Sequence, residues 1–557
     1  MNPDKRTLLP TPDAKARTRT RGLLVALLAL AVPLACDPAD VDMDAVVGDP
    51  EPGGTAVVGM HSDFQTFNPV TNTALTSMEV MNFMVFTPLV RYDENFEPEP
   101  YLAREWDLED DHIVFRLYQG LRWHDGEPVT AEDVRFTFEM AKQEEAASLI
   151  GSAFLAMVES AEVIDDYTIR FDFVAPHSQP LDGFAWAPIP EHLLGDVSAA
   201  ELAQAPYNRQ PVGSGPFRFV SWEAGQQLTL EANEEFPDEL GGRPYLDRLV
   251  FRIIPEPTTR VTELATGGID VNYSVQAPEG REIEQQRGLQ LHRYSGREFN
   301  YIGWNTVEEP FTDPQVRRAL TMAIDREQII EAILFGYADP AAGMIPPWSP
   351  LHPGTDPLPH DPDRARQMLA DAGWEDRSGD GIIERDGRPF RFDMMVNSNN
   401  RLHQDIATVV QQHLRRVGVD MRIRAIEFQS MLRQHRDRDF QAVYSGWILD
   451  NFRVDPTPLF SCAEAETPQS ANRSSYCDPE ADRLIAAGLR ETDPGRAEQI
   501  WGEFSDTLQE DQPFTFMYWL EDLAGVGQRI QGVDMDARSK LVGVASWWIP
   551  EDRRRGR

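Results

Sequence analysis

Cysteine is scarce in this sequence, and long hydrophobic runs are missing after its first 36 residues. Three cysteines among 557 residues leave room for one disulfide. No later apolar stretch approaches the roughly 20 residues that a membrane-spanning helix needs. Hydrophobic residues at 41% and charged residues at 26% are ordinary for soluble proteins. The sequence therefore predicts a soluble mature chain, long enough for two or three domains.

Signatures of common enzymes are also missing. The chain has no H-E-x-x-H, C-x-x-C, G-x-S-x-G or G-x-x-x-x-G-K-[ST] motif, and Gly213-Ser214-Gly215 lacks the spacing of a phosphate-binding loop. Acidic residues are so numerous that carboxylate pairs arise by chance, and none can be nominated as an acid and base dyad. The sequence predicts a protein that is not an enzyme and needs no cofactor.

Basic residues are few compared with acidic ones. The formal net charge is −39, and removing residues 1–35 takes away six of the 52 Lys and Arg and two of the 91 Asp and Glu, which leaves −43. Such a surface repels phosphate, so binding to nucleic acid or to anionic lipid is disfavoured. Cationic or amine-bearing partners are compatible with this charge. The plainer interpretation is that the acidic residues form a solvated surface coat.

The first 35 residues are typical of an export signal. Six basic residues precede the uninterrupted apolar stretch 23–35, which ends in small residues just before Cys36. A single membrane anchor is the alternative, and the stretch is short for one. The following segment, 36–54, is rich in Asp, Pro and Gly, which predicts a flexible tether.

Cys462 and Cys477 lie 15 positions apart in a polar loop that only a covalent tie would order. We expect a disulfide, which persists in an exported protein. Free thiols or a metal pair are the alternatives, although no His or further Cys lies nearby at ligand spacing. Either way Cys36 is left unpaired.

Strand and helix patterns alternate without a fixed repeat, which predicts an α/β fold. Alternating residues in 112–118 and 167–173 indicate half-buried strands. Helices are predicted after the N-caps Thr130, Asp313 and Asp361, the second as one helix through 311–334. At Gly418 the pattern changes from helical to alternating, so a helix is followed by a strand.

One acidic cluster resembles the start of a calcium loop. Asp376, Ser378 and Asp380 alternate before Gly381, but position twelve would be Gly387 in place of a bidentate Glu. A polar hairpin turn is therefore the preferred interpretation. No other metal site is predicted.

The stretch 439–462 is the best candidate for ligand binding. Its pattern predicts an apolar strand, 442–444, that runs into a Gly446-Trp447 corner, followed by Asp450 and Asp455 in a loop limited by proline. Strand ends and the loops after them are where α/β folds bind ligands. An aromatic face beside a carboxylate suits an amine. A packed Trp with two solvated turn acids is the alternative.

Four blocks of the chain, 85–139, 211–233, 242–271 and 305–330, resemble in order the family 5 extracellular solute-binding proteins, which serve peptide, nickel and related ABC importers. The first block contains VFTPLVRYDENFEPEPYLAREW and the last NTVEEPFTDPQVRRALTMAIDREQII. The resemblance implies a two-lobed periplasmic binding protein fold of type II with an extra inserted domain, which closes around a ligand and delivers it to a membrane permease.

The resemblance also implies domain boundaries. Lobe I is expected from 55–87 with 214–298 and 506–548, the inserted second domain from 88–213, lobe II from 299–505, and a basic C-terminal tail from 549–557. Hinge crossings are expected near 297–305 and again near 505–512.

Site residues follow from the same resemblance. Asp450, at the family's offset from Trp447, is expected to pair with the ligand's α-ammonium. Two extra residues before Asp-Pro leave Asp455 as either the turn residue or the true partner. Arg401 is the nearest candidate for the ligand carboxylate, and Asn305 is counted among the ligand contacts. Members with a disulfide at the positions of Cys462 and Cys477 agree with the pairing above.

Cys36 gains a role from the resemblance as well. The sequence PLAC is similar to a lipobox, with Pro33 where an aliphatic residue is usual, so a monomeric, lipid-anchored periplasmic lipoprotein is expected. The expected ligand is an oligopeptide or similar amine-bearing solute. A nickel chelate, opine or sugar receptor, an exported hydrolase, and a receptor without a permease are the alternatives.

Overall fold

The computed structural model describes residues 48–449 and 452–554. Strands in these residues are β1 Thr55–Met60, β2 Val90–Tyr92, β3 Pro98–Pro100, β4 Ala103–Leu108, β5 His112–Leu117, β6 Val158–Asp165, β7 Thr168–Phe173, β8 Phe217–Glu223, β9 Gln227–Ala232, β10 Arg248–Ile253, β11 Val271–Asn272, β12 Leu289–Trp304, β13 Ala338–Pro340, β14 Glu384–Arg385, β15 Arg388–Pro389, β16 Arg391–Asn397, β17 Asp420–Ile426, β18 Ala442–Ile448 and β19 Phe514–Gly527.

The α-helices are α1 Leu75–Val80, α2 Ala131–Lys142, α3 Glu191–Leu194, α4 Ala199–Leu202, α5 Pro257–Thr266, α6 Ala277–Gln285, α7 Pro314–Ala323, α8 Arg326–Ile333, α9 Pro362–Asp371, α10 Arg401–Arg416, α11 Phe428–Arg436, α12 Thr457–Phe460, α13 Cys462–Glu466, α14 Pro479–Gly488 and α15 Pro494–Asp511. Short 3₁₀ or π turns span Met81–Val85, Glu144–Ala146, Ile150–Phe154, Pro180–Phe184, Pro206–Arg209, Asp238–Leu240, Val544–Ser546 and Glu551–Arg553.

One large mixed sheet runs through the described chain. Its strand order is β17-β16-β18-β12-β19-β11-β1-β10-β9-β8, and β13 adds to β19. The long strands β12 and β19 pair antiparallel over most of their length, with an irregular register between Ser295 and Phe299. These two strands therefore carry the chain from one half of the sheet to the other.

Separate hydrophobic cores lie at the two ends of this sheet. One joins buried side chains from 56–273 with others from 524–549. Two more draw on residues between 299 and 519. This confirms the predicted two-lobed α/β fold, while the boundaries between the lobes and the inserted domain stay a prediction. Residues 505–511, near the second predicted hinge crossing, lie in α15.

A smaller antiparallel sheet, in the order β4-β5-β7-β6, lies within 88–213. In β5 the side chains of Ile113, Phe115 and Leu117 are buried and their neighbours are partly exposed, as the alternation predicts. The helix α2 packs against β6 and β7. The segment shares its core with 56–87 and 217–273.

Local helix signals are confirmed where a cap is present. Thr130 and Asp133 form a capping box at α2. The Asp313 carboxylate accepts a hydrogen bond from the Gln315 N–H at 2.9 Å, and Asp361 accepts one from Arg364 at 2.8 Å. Gly418, with φ of +84°, separates α10 from β17 as predicted.

Two local predictions are wrong. The region 311–334 forms two helices, α7 and α8, because Asp325 caps the second by accepting a hydrogen bond from the Gln328 N–H at 2.9 Å. The expected corner at Gly446-Trp447 is continuous strand, because β18 pairs with β12 through Glu298 and Ile448. The chain turns only after Ile448.

The ends of the described chain contact each other. The Gly53 N–H donates to the Tyr245 carbonyl at 2.7 Å, and Arg554 donates to the Glu51 carbonyl at 3.0 Å. Ile549, the first residue of the predicted tail, is fully buried. The signal segment and Cys36 lie outside the described residues. None of the helices in 48–449 and 452–554 has the length and apolar character needed to cross a bilayer.

The predicted disulfide is present between Cys462 and Cys477, whose Cα atoms are 4.4 Å apart. The loop is not ordered by this bond alone, which corrects the sequence-based expectation. Asn472 is fully buried, and its amide donates to the carbonyls of Ser461 at 2.9 Å and Tyr476 at 2.8 Å. The buried amide of Asn472 therefore orders the loop together with the disulfide.

Replacing both Cys462 and Cys477 by serine is expected to lower the free energy of unfolding by about 3 kcal/mol, because a closed loop of this size loses that much denatured-state entropy. Urea unfolding under oxidising conditions measures the change. Reductant should shift the wild-type midpoint toward that of the double variant and leave the double variant unmoved. Equal midpoints for the two proteins would contradict the prediction.

Candidate functional site

A cavity of about 690 Å³ lies beside the loop that follows β18. Its walls come from α1 and the turn after it, from 88–101, 236–245 and 534–546, and from Arg297 and Phe452. Seven aromatic side chains line it: Phe83, Tyr92, Tyr101, Phe154, Phe236, Tyr245 and Phe452. Its size falls within the range of roughly 300–1,000 Å³ that is typical of small-molecule sites.

Phe452 contacts aromatic rings from distant parts of the chain. Its ring centroid is 4.7 Å from that of Tyr92, 5.4 Å from Phe96 and 5.5 Å from Trp348, in tilted or edge-to-face arrangements. Such geometries are favourable beyond the area they bury. The cluster brings the 92–96 segment against the 348 and 452 segments and forms one wall of the cavity.

Arg297 and Glu79 meet at the same wall. Their side chains are 7% and 8% exposed, and Nη2 of Arg297 is 3.7 Å from Oε1 of Glu79. The guanidinium also lies 5.3 Å from the centre of the Phe452 ring. Burial raises the pKa of Glu79 to about 7, against the opposing effect of Arg297 and Lys540.

Tyr92 ties another buried acid to this wall. Its hydroxyl donates to the carboxylate of Asp182. Burial raises the pKa of Asp182 to about 6, while the hydrogen bond from Tyr92 and the charge of Arg453 act in the opposite direction. Nearby, the Val454 N–H donates to Oε1 of Gln179 at 3.2 Å. The segment 452–454 is therefore held by the hydrogen bond to Gln179 and by the ring contact of Phe452 with Tyr92, which in turn binds Asp182.

A separate set of four polar side chains, Glu298, Asn300, Tyr444 and Tyr518, lies within the strands next to the cavity. The pKa of Glu298 is raised by burial, and its Oε1 accepts a hydrogen bond from the Asn300 amide at 3.1 Å. The hydroxyls of Tyr444 and Tyr518 are 2.7 Å apart. None of the four lines the cavity. The bond between Glu298 and Asn300 lies within β12, and the bond between Tyr444 and Tyr518 joins β18 to β19.

The four predicted ligand-binding residues that the structure describes do not line the cavity. Asp450 lies outside the described residues. Trp447 is partly buried in β18 and packs on a lobe core. Asp455 accepts a hydrogen bond from the Thr457 N–H at 3.0 Å and lies 3.2 Å from Arg453, as a turn residue does.

Two further candidates are engaged elsewhere. Arg401 is exposed at the start of α10 and pairs with Asp405 at 3.0 Å. Asn305 is buried, and its amide donates to the Arg438 carbonyl at 3.2 Å and the Phe440 carbonyl at 2.9 Å. Neither side chain lines the cavity.

The acidic cluster at 376–380 forms backbone turns. Asp376 accepts hydrogen bonds from the N–H groups of Gly379 and Gly381 at 2.7 and 3.0 Å, and Asp380 accepts one from Ile382 at 2.9 Å. A hairpin of β14 and β15 follows. In the part of the chain that the structure describes, no three His, Cys, Asp or Glu side chains are grouped to hold a metal ion.

Sequence reasoning missed Glu79, Arg297 and Phe452 as site residues. Arg297 falls inside the segment predicted as a hinge, and Phe452 lies two positions after Asp450. Glu79 lies between the lipobox-like sequence that ends at Cys36 and the first family block, 85–139, and belongs to no sequence motif. No local pattern links positions 79, 297 and 452, because the tertiary fold alone brings them together.

Two lobes joined by two long strands, with a cavity lined by both signs of charge, are the architecture of a solute-binding receptor. The chain belongs to the bacterial extracellular solute-binding proteins, family 5, whose middle-region model matches residues 97–466. This confirms the resemblance seen in the sequence. Membership in this family makes the protein a binding protein that acts outside the cytoplasm.

Relatives and solved structures agree with this assignment. The oligopeptide-binding protein AppA of Bacillus subtilis is 31% identical over 514 residues, which cover 90% of this chain and 93% of AppA. The glutathione-binding protein GsiB of Pectobacterium atrosepticum is 25% identical over 476 residues, 83% and 88% of the two chains. The structure of AppA in complex with a nonapeptide matches with a TM-score of 0.74 at 30% identity, covering 90% of this chain and all of AppA.

Proposed function

We propose that this protein is the receptor of an ABC importer, that it binds short oligopeptides between its lobes, and that it delivers them to a membrane permease. The observation that carries the proposal is the cavity. It offers both signs of charge, Arg297 and Glu79, beside aromatic surface, which suits a solute with charged ends and apolar side groups. The similarity to a protein named for oligopeptide binding supports the same ligand class.

Of the sequence-based site residues, Asp450 and Trp447 keep their roles within this proposal. Asp450, with Trp447 beside it, is the candidate for the ligand's α-ammonium. Phe452, which lines the cavity, comes two positions after Asp450 in the sequence. This proximity along the chain favours Asp450 over Asp455, whose carboxylate is engaged in a turn.

The proposal also covers how the protein is attached to the membrane. A lipid on Cys36 would anchor a monomeric receptor to the membrane that contains its permease, and residues 37–47 would give it reach. Intact mass of the membrane-extracted protein tests this part. The mass of the chain from Cys36 plus a lipid is expected, and an unmodified mature N-terminus would overturn the anchoring without affecting the ligand class.

Native mass spectrometry of protein purified without its signal segment tests the ligand class directly. After denaturation, the released small molecules are identified, and a mixed set of short peptides is expected. A metal chelate, an opine, a sugar or a single product of hydrolysis would overturn the peptide assignment. Protein stripped of ligand and then exposed to a defined peptide mixture serves as the control, and it should regain the same class of ligand.

A further inference from the structure

Four arginines line the cavity within the described residues. Three of them hold a carboxylate at hydrogen-bond distance: Arg91 with Glu99 at 2.6 Å, Arg243 with Glu234 at 2.7 Å, and Arg538 with Asp536 at 2.5 Å. Their charges are already satisfied by the protein, so the fourth arginine, Arg297, differs from its neighbours.

Arg297 has no such partner. In residues 48–449 and 452–554, no oxygen accepts a hydrogen bond from its guanidinium, and Glu79, its nearest carboxylate, is 3.7 Å away. One face of the guanidinium is covered by the Phe452 ring at 5.3 Å. The side chain is only 7% exposed. Its donors are therefore withdrawn from bulk water and available to whatever fills the cavity.

A buried guanidinium with unused donors is unfavourable unless a ligand completes it. Its planar set of five N–H donors matches a carboxylate, which can accept two parallel hydrogen bonds. Lysine would supply a charge without this geometry. Residue type, burial and position together favour an anionic carboxylate on the bound solute.

Glu79 acts on the same guanidinium from the protein side. The charged groups that act on Glu79 are Arg297, Lys540 and Asp522, and the Ser539 hydroxyl hydrogen-bonds to it. Arg297 and Lys540 favour its ionised form, while Asp522 and, most strongly, burial favour the neutral form. Lys540 is itself paired with Asp522 at 3.0 Å. An ionised Glu79 would compete with a ligand carboxylate for Arg297, and a neutral Glu79 would not.

We infer that Arg297 determines specificity for solutes that carry a free carboxylate, and that Glu79 is an internal competitor which weakens their binding when it is ionised. The inference rests on the proposed function and adds to it. It assigns the carboxylate contact to β12 in place of Arg401, the sequence-based candidate, which lies exposed on α10.

The direction of the pH dependence follows from this arrangement. A ligand carboxylate near Glu79 disfavours the ionised form, so binding raises the pKa of Glu79 above its ligand-free value of about 7 and takes up a proton. Affinity should therefore rise as the pH falls from 8 to 6, by at most about tenfold per pH unit for one coupled group. Below about pH 4 the ligand carboxylate itself becomes protonated, and the trend should reverse.

Matched ligands test the inference. Trialanine and its C-terminal amide differ only in the carboxylate, and calorimetry on ligand-stripped protein compares them at pH 6, 7 and 8. Wild type should bind the acid about ten to a hundred times more tightly than the amide. Arg297→Gln should reduce this ratio to less than about threefold. Glu79→Gln should remove the pH dependence, so that the ratio stays near its wild-type pH 6 value at all three pH values.

Arg483→Gln is the matched control, because Arg483 lies outside the cavity and is paired with Glu480 at 2.6 Å on the surface. It should leave the ratio of acid to amide unchanged. Thermal unfolding checks that each variant folds, and Arg297→Lys gives a milder change, with an intermediate ratio expected, if Arg297→Gln does not fold.

The possible failures are distinct. Equal binding of acid and amide to wild type, or an unchanged ratio in Arg297→Gln, would overturn the role of Arg297 and leave the peptide receptor standing. An unchanged pH dependence in Glu79→Gln would overturn the competition. Binding of neither peptide by folded wild type would overturn the proposed function together with this inference.

Discussion

Replacing Asp270 by alanine should lower the free energy of unfolding by about 3–5 kcal/mol, the cost typical of leaving one member of a buried ion pair alone. The side chain of Asp270 is 1% exposed and that of its partner Arg529 is 15% exposed. The Asp270 carboxylate accepts hydrogen bonds from Nε of Arg529 at 2.7 Å and from the Val57 N–H at 2.8 Å. The change would leave the Arg529 guanidinium without its counter-ion, with only the Thr55 carbonyl at 2.7 Å as acceptor in the described chain, and the Val57 N–H without its acceptor.

The position of Asp270 explains why the effect should be global. It precedes β11, which pairs with both β1 and β19, so its carboxylate holds the start of β1 to the end of β19. Urea unfolding measures the change. Glu480→Ala, in an exposed pair with Arg483, should leave the unfolding midpoint unmoved. A loss below about 1 kcal/mol in Asp270→Ala would contradict the argument.

Helices with short-range signals could be predicted from the sequence. The caps Thr130, Asp313 and Asp361 act on N–H groups two or three positions away, so the information lies within one turn. The same signal was available at Asp325, in the sequence AIDREQ, and would have divided 311–334 into two helices. The prediction of a single helix was wrong because the apolar stripe continues past Asp325, the residue that caps α8.

Long-range pairing could not be predicted in the same way. Gly446 favours a turn locally, yet it lies in continuous strand because β12 provides its partners, and Asn300 faces it in the register. A Cβ at this position would lie 2.4 Å from Oε1 of Glu298. Glycine is required here by the close approach of a neighbouring strand, and the neighbour is distant in sequence.

The candidate site shows the same difference between residues with a local sequence signal and residues that only the tertiary fold brings together. Trp447, Asp455, Arg401 and Asn305 were chosen from motifs, and the structure engages the last three in a turn, a surface ion pair and backbone hydrogen bonds. Glu79 and Arg297 are separated by 218 positions, and neither forms a recognisable motif. Burial without a hydrogen-bond acceptor sets Arg297 apart from the other buried arginines of the described chain, Arg260, Arg317 and Arg326, which all donate to carbonyls, and this difference depends on tertiary structure.

Replacing Phe452 by alanine is expected to weaken ligand binding by about thirtyfold or more, which corresponds to at least 2 kcal/mol for a central aromatic anchor. Phe452 contacts Tyr92, Phe96 and Trp348, so it joins segments that must lie together when the cavity is enclosed. Calorimetry with a bound peptide measures affinity, and small-angle scattering measures compaction on binding. Phe428→Ala, at a ring that is 43% exposed, is the control and should change neither quantity.

Phe452 and Arg297 should not act independently, because the guanidinium lies over the Phe452 ring at 5.3 Å. Removing the ring would expose Arg297 to water and weaken its hold on a ligand carboxylate, so the loss in Phe452→Ala already includes part of the loss in Arg297→Gln. A double-mutant cycle with trialanine should show a coupling of about 0.5–3 kcal/mol. Strict additivity would mean that Phe452 only closes the cavity and that Arg297 recognises the carboxylate without its help.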